Sequence, residues 1–153
     1  MNRWLLVEFL PVANDNTVHI AKPTTLDAKK IYNALKHAVV YHFGDTGWGA
    51  LGSSLSVKYF SPMTNIGIIR VARDQHKLAW GAVTLLNAVE GQTVVPHVVH
   101  VSGTIRHAQL AAIAHNRHVV ARYRSFAQTP AAYRDSLELY LETSTTDIEA
   151  LRD

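Results

Sequence analysis

The 153-residue chain contains no cysteine. Disulfide frameworks, thiolate zinc sites, iron–sulfur clusters and cysteine nucleophiles are thereby excluded, and the absence fits a reducing compartment. No apolar run approaches the ~20 residues that a membrane helix needs. Residues 4–9 form an apolar stretch, but Glu8 interrupts it and no small-residue cleavage site follows, so no signal peptide is expected. Charge is scarce too: 18% of residues are Asp, Glu, Lys or Arg against 48% hydrophobic, the balance of a globular chain rather than a disordered one. The length suits one domain with a sizeable core. The expectation is a soluble intracellular domain.

The sharpest absence is local. No acid occurs between Glu90 and Asp135, while Arg106, Arg117, Arg122, Arg124 and Arg134 and five histidines fall inside that window. The formal net charge of +3 conceals this asymmetry. Residues 1–134 carry 14 Lys/Arg against 6 Asp/Glu, and residues 135–153 carry Arg152 against six acids. An acid-free window whose fixed charges are all arginine points to a polyanionic partner. Charge alone leaves a solvated basic surface equally open.

What is present orders itself as strand–helix–strand–strand–helix–strand. Residues 4–10 read as a buried strand, ended by Pro11. Thr24 offers an N-cap, with Asp27 in the capping-box position, to a helix with Ile31, Ala34, Leu35, Ala38 and Val39 at helical spacing and Gly44 as its stop. Residues 47–54 read as a glycine and serine loop. Strands follow at 56–60 and 66–73 around a turn at Pro62. Asp74 is expected to cap a second helix striped by Leu78, Ala82, Leu85, Leu86 and Val89. Residues 93–101 read as a valine-rich strand, with Pro96 arguing for an edge or strand-start position. This is the α+β, ferredoxin-like split βαβ pattern of RNA-recognition domains, with an antiparallel sheet and added C-terminal helices.

A long helix over residues 104–127 comes next. At ~100° per residue, Ile105, Ala108, Ala112, Ile113, Val119, Val120, Tyr123 and Phe126 share one side. Arg106, Arg117 and Arg124 fall within ~20° of one line on the other, with His107, His115, His118 and Arg122 spread beside them. Residues 1–128 thus form a ferredoxin-like domain including this basic helix. Residues 129–153 are expected to be a short helix, started by Thr129-Pro130, and a frayed acidic tail.

Several motifs dissolve on inspection. GWGALG at 47–52 matches G-x-G-x-x-G, but it leaves a helix and leads into a strand, the reverse of what a dinucleotide site needs. His97 and His100 should point to opposite faces of a strand, and His115 and His118 have no carboxylate or thiolate in the window to complete a metal site. The serines at 53, 54 and 56 lack a nucleophile elbow. The six acids of the body stand singly, which gives no pair for general acid–base or two-metal work. The third strand carries no aromatic for base stacking, and its apolar face offers either a protein partner or a seat for the long helix.

Taken together, five blocks resemble the Pop-five protein-subunit family of archaeal and eukaryotic ribonuclease P and ribonuclease MRP. They are RWLLVE at 3–8, the glycines from Phe43-Gly44, VKYF at 57–60 through Thr64 with residues 66–70 and Arg73, LAWGA at 78–82, and HVSGTIR at 100–106; Asn116-Arg117 looks like a further family pair. Coverage is about residues 3–126. Asn65 stands where the family often has glycine, and asparagine tolerates a left-handed backbone. The resemblance implies a non-catalytic RNA-binding subunit that supports a catalytic, Mg2+-holding RNA in removing the 5′ leader of precursor tRNA. It also implies a second small ferredoxin-like subunit and a TIM-barrel-like subunit as partners, no cofactor on this chain, and a nuclear, nucleolar location in a eukaryote or a cytoplasmic one otherwise. Candidate phosphate contacts are Arg70, Arg73, Arg106, Arg117, Arg122 and Arg124, with Lys77 and His107 behind them. A ferredoxin-like small-ligand or regulatory module is the alternative, as is a pure protein-interaction module.

Overall fold

A computed structural model describes residues 1–12, 26–125 and 131–153. Strands β1 (Asn2–Pro11), β2 (Ser56–Ser61), β3 (Ile66–Ala72), β4 (Ala88–Val89) and β5 (Gln92–Ser102) join in one sheet of order β2-β3-β1-β5-β4, with every pair antiparallel. Helices α1 (Ala28–Leu51) and α2 (His76–Leu85) supply the two crossovers. Two more helices, α3 (Ile105–Arg124) and α4 (Ala131–Glu149), close the chain. The expected split βαβ arrangement is present. The two-residue β4 is additional, turning into β5 through Glu90 and Gly91 at φ 47 and 80, the left-handed pair that a tight hairpin demands.

The central strand explains the layering. β1 is buried on both sides, so its sequence is a continuous apolar run rather than an alternating one. Leu5, Val7 and Phe9 enter a core with Ile31, Leu35 and Val39 of α1 and Ala79, Ala82 and Val83 of α2. Trp4 and Leu6 enter a second core with Ile66 and Ile68 of β3, Ala108, Ala112 and Ile113 of α3, and Ile148 of α4. The apolar face of the third strand is therefore the seat of the long helix, not a surface left for a partner.

Local chemistry corrects several expected boundaries. Asp27 itself is the N-cap of α1, accepting from the Lys30 N–H at 2.8 Å; Thr24 lies outside the described residues. Gly44 does break α1, at φ 69 and ψ −174, but residues 47–51 resume as helix instead of forming a loop. Gly47 allows this: a Cβ there would lie 2.5 Å from Phe43 Cβ, and Leu51 beyond it is fully buried. Asp74 does not cap α2, since a 3-10 turn over Arg73–Gln75 intervenes and no side chain caps the helix. The buried stripe of α2 is Ala79, Ala82 and Val83, while Leu85 is exposed and Val89 belongs to β4. Pro96 sits where β5 has β1 on one side only, as an edge position allows. Asn65 takes φ 59 in the β2–β3 turn, the left-handed role expected of it.

The largest departure is at the C-terminus. The expected short helix and frayed tail form a helix that reaches Glu149, with Leu137 and Ile148 fully buried. Its end is held by Gln109 of α3, whose Nε2 donates to the carbonyls of Ile148 at 3.0 Å and Leu151 at 3.1 Å. Helix termini leave such carbonyls short of partners, and Gln109 adds to the Leu151 N–H that already donates to the Ile148 carbonyl at 3.1 Å. The expected start at Thr129-Pro130 and the inward Phe126 lie outside the described residues.

Candidate nucleic-acid interface

The basic helix is set by both of its ends and by its buried side. Thr104 caps α3, its hydroxyl accepting from the His107 N–H at 3.3 Å. Seven residues are buried: the expected Ala108, Ala112, Ile113, Val119 and Val120, and two amides, Gln109 and Asn116. Asn116 Oδ1 accepts from Thr64 Oγ1 at 2.8 Å, and Thr64 and Ser61 both meet the Tyr140 hydroxyl. This polar knot ties the β2–β3 turn, α3 and α4 together. Within it, burial pushes the Tyr59 phenol above its ordinary range, with Tyr140 adding to the shift. A fixed inner side means a fixed outer one.

That outer side exposes Arg106, His107, Leu110, Arg117, His118 and Arg122. Among the described residues no carboxylate lies within 4.0 Å of Arg106, Arg117 or Arg122. Arg124 differs from the line it was expected to share. It is half-buried against α4, with Nη2 3.2 Å from Glu138 Oε1. Arg70 is engaged likewise, Nη1 lying 3.6 Å from Asp153 Oδ1, which also accepts from Asn2 Nδ2 at 3.0 Å. The C-terminal segment thus supplies the carboxylates for two of the candidate arginines.

Four of the other candidates gather at one end of the sheet. There β1 begins while β3 and β5 end, as the pairs Asn2 with Ala72 and Trp4 with Ser102 require, and α2 and α3 both start. Arg73, Lys77, Arg106 and His107 are exposed around this end. Arg3, which sequence reasoning passed over, joins them: a Cβ on Gly103 would meet its Nη1 at 3.2 Å. The N-termini of two helices add partial positive charge at the same place. Arg117 and Arg122 lie 11 and 16 residues further along α3, about 17 and 24 Å away.

One buried acid underlies the basic helix. Glu8 Oε2 lies 3.0 Å from His115 Nε2 on the covered face of β1. Hydrogen bonding to His115 holds the Glu8 carboxyl below its ordinary range despite burial, and the charges of His115, Arg122 and His97 reinforce it. His97 and His100 were expected on opposite faces. A bulge between Leu6 and Val7 shifts the register, so His97 pairs with Glu8 and His100 with Leu6, and both share the α3 face. No group of three or more metal-ligating side chains occurs among the described residues. No described helix is long and apolar enough to cross a membrane.

The fold and this surface define a ferredoxin-like domain whose second sheet face is closed by a basic helix and an acidic one. Residues 3–113 match the Rpp14/Pop5 family, and the chain belongs to that family. It is 41% identical to the ribonuclease P/MRP protein subunit POP5 of Schizosaccharomyces pombe over 119 residues, covering 76% of this chain and 86% of the relative. It is 30% identical to the zebrafish (Danio rerio) ribonuclease P/MRP subunit POP5 over 149 residues, covering 94% and 85%. A probable subunit of the same name from Arabidopsis thaliana is 30% identical over 105 residues, covering 69% and 70%. A chain in a cryo-EM structure of yeast ribonuclease MRP shares the fold, with a TM-score of 0.54 and 12% identity over 98% of this chain and 95% of that one.

Proposed function

We propose that this protein is a non-catalytic RNA-binding subunit of a ribonuclease P and ribonuclease MRP type of ribonucleoprotein, acting in 5′-leader removal from precursor tRNA. The observation that carries this reading is the outer side of α3: Arg106, Arg117 and Arg122 are exposed on a helix and a neighbouring strand that together hold no acid. Guanidinium forks match phosphate oxygens, and displacing counterions from the RNA supplies affinity without any catalytic group. In this reading the RNA holds the Mg2+ ions and performs the cleavage, while the protein braces the RNA near the substrate. A second small ferredoxin-like subunit and a TIM-barrel-like subunit complete its surroundings, in the nucleus if the cell is eukaryotic. Arg73, Lys77 and His107 extend the phosphate contacts around the end of the sheet.

The test is reconstitution with a ribonuclease P RNA transcript from the same organism. The purified protein should bind the transcript, should not cleave precursor tRNA with Mg2+ alone, and should lose most of its affinity in an R106Q/R117Q/R122Q variant that keeps its circular dichroism spectrum. Cleavage by the RNA-free protein, or no binding to the transcript, contradicts the proposal.

A further inference from the structure

The two flanks of α3 differ in charge. On one side lies α4, where Glu138, Glu142 and Glu149 are exposed and fall within about 40° of one line. Glu138 already engages Arg124, and Asp153 beyond the helix engages Arg70. A phosphate backbone approaching from this side meets carboxylates first and finds two arginines taken.

On the other side lies β5. Its outer edge is paired with β4 only at Gln92 and Thr93, so from Val95 to Ser102 it carries no further strand among the described residues. Between this edge and the start of α3 runs an open cleft of about 680 Å³, lined by His100, Val101, Ser102, Gly103, His107, Leu110 and Ala111. The bulge at Val99 of β5 places His97 and His100 on the α3 face, and both are exposed. His107 and His118 are exposed on α3 about 100–120° round from Arg106, toward the same side. Ala111 and Ala114 keep the helix surface low between them. Among the described residues the carboxylate beneath is Glu8 of β1, buried against His115. The other charges toward the cleft region are Arg3 of β1 near Gly103 and Arg122 of α3, whose charge also reaches Glu8, while Glu90 at the far hairpin is paired with Lys30.

Resting on the reading above, we infer that the RNA backbone lies along the cleft between α3 and the open edge of β5, where His97, His100, His107 and His118 make its binding strengthen as pH falls, and that the carboxylates of α4 fence it off the opposite flank. A protonated imidazole donates from both ring nitrogens and carries a charge, so each ring that gains a proton adds a phosphate partner to the fixed arginines. Alanines and glycine along the cleft admit a sugar–phosphate chain close to the backbone.

The experiment measures binding of the fluorescein-labelled ribonuclease P RNA transcript at constant ionic strength, at pH 7.5 and pH 6.0. Wild-type affinity should rise about threefold or more at the lower pH. H100Q/H107Q should lose at least half of that rise, whereas R117Q should weaken binding by a similar factor at both pH values. E138Q/E142Q/E149Q should bind more tightly at both, since the fence is gone. Wild-type binding that is independent of pH, or a rise unchanged in H100Q/H107Q, overturns this inference and leaves the proposed function standing. No binding at either pH overturns both. If H100Q/H107Q binds RNA like the wild type but no longer retains a protein subunit, the cleft is a protein-docking edge and the inference is wrong.

Discussion

The two faces of the sheet are closed in different ways. Against α1 and α2 the packing is apolar throughout, from Leu5, Val7 and Phe9 to Leu35 and Val83. Against α3 and α4 a smaller apolar set is laced with buried polar groups: Glu8 with His115, Thr64 with Asn116, and Gln109 with the end of α4. Apolar burial is strong and forgiving of orientation. Hydrogen bonds contribute less net energy but fix geometry, because a buried group left without its partner is costly. The first face holds the domain together; the second aims a basic helix.

That contrast is open to attack by mutation, and the largest effect belongs to the apolar face. Phe9→Ala removes a fully buried ring that packs edge-on against Phe60 at 6.2 Å. It should cost about 3–5 kcal/mol and lower the stability of the whole domain in urea melts. Gln109→Ala should cost less, about 1–3 kcal/mol, because it strips partners from the carbonyls that end α4. Its effect should be confined: amide exchange should accelerate in α4 and the C-terminal residues while α1 and β1 keep their protection. Equal acceleration in α1 would mean that the two faces unfold as one unit.

Glu8 sharpens the comparison through pH. Its carboxyl is held below its ordinary range in the folded state, so the pair with His115 contributes stability that is full above the unfolded value and is lost as pH falls through the folded one. Glu8→Gln should therefore be less stable than the wild type at pH 6, and the gap should shrink between about pH 5 and pH 3. Urea midpoints across that range check the sign. A gap that widens on acidification contradicts the assignment.

How far the sequence revealed these two faces follows from the same physics. The α1 and α2 layer was legible because apolar residues at helical spacing and a doubly buried strand leave periodic patterns, as at Ile31, Leu35 and Val39. Gly44 and Asn65 were legible too, since left-handed backbone has few tenants. The helix beyond Gly44 was not, because Gly47 is held by the close approach of Phe43 rather than by any local preference. The second face hid more. Gln109 and Asn116 are polar by type and read as surface, although tertiary partners bury both. The acidic C-terminal residues read as a solvated tail, yet Leu137 and Ile148 anchor them and Glu138 and Asp153 find arginines. A single bulge in β5, at Val99 opposite Leu6 and Val7, reversed the expected placement of His97 and His100, and nothing in the alternation of residues could announce it. The arginines of the candidate surface were found by their lack of neighbouring acids; which of them stay accessible depended on where α4 came to rest.

In the proposed function, RNA meets the outer side of α3 and not every arginine in the acid-free window. The most direct measurement is the salt dependence of binding to the ribonuclease P RNA transcript for two variants of equal formal charge change per site, R106Q/R117Q/R122Q and R70Q/R124Q. Removing one phosphate-bound arginine should flatten the log–log slope by about 0.7 if the RNA it meets behaves as single strand. The triple variant should therefore flatten it by about 2, and R70Q/R124Q, whose partners are Asp153 and Glu138, should leave it close to that of the wild type. An unchanged slope in the folded triple variant, or a larger change in R70Q/R124Q, would contradict the account.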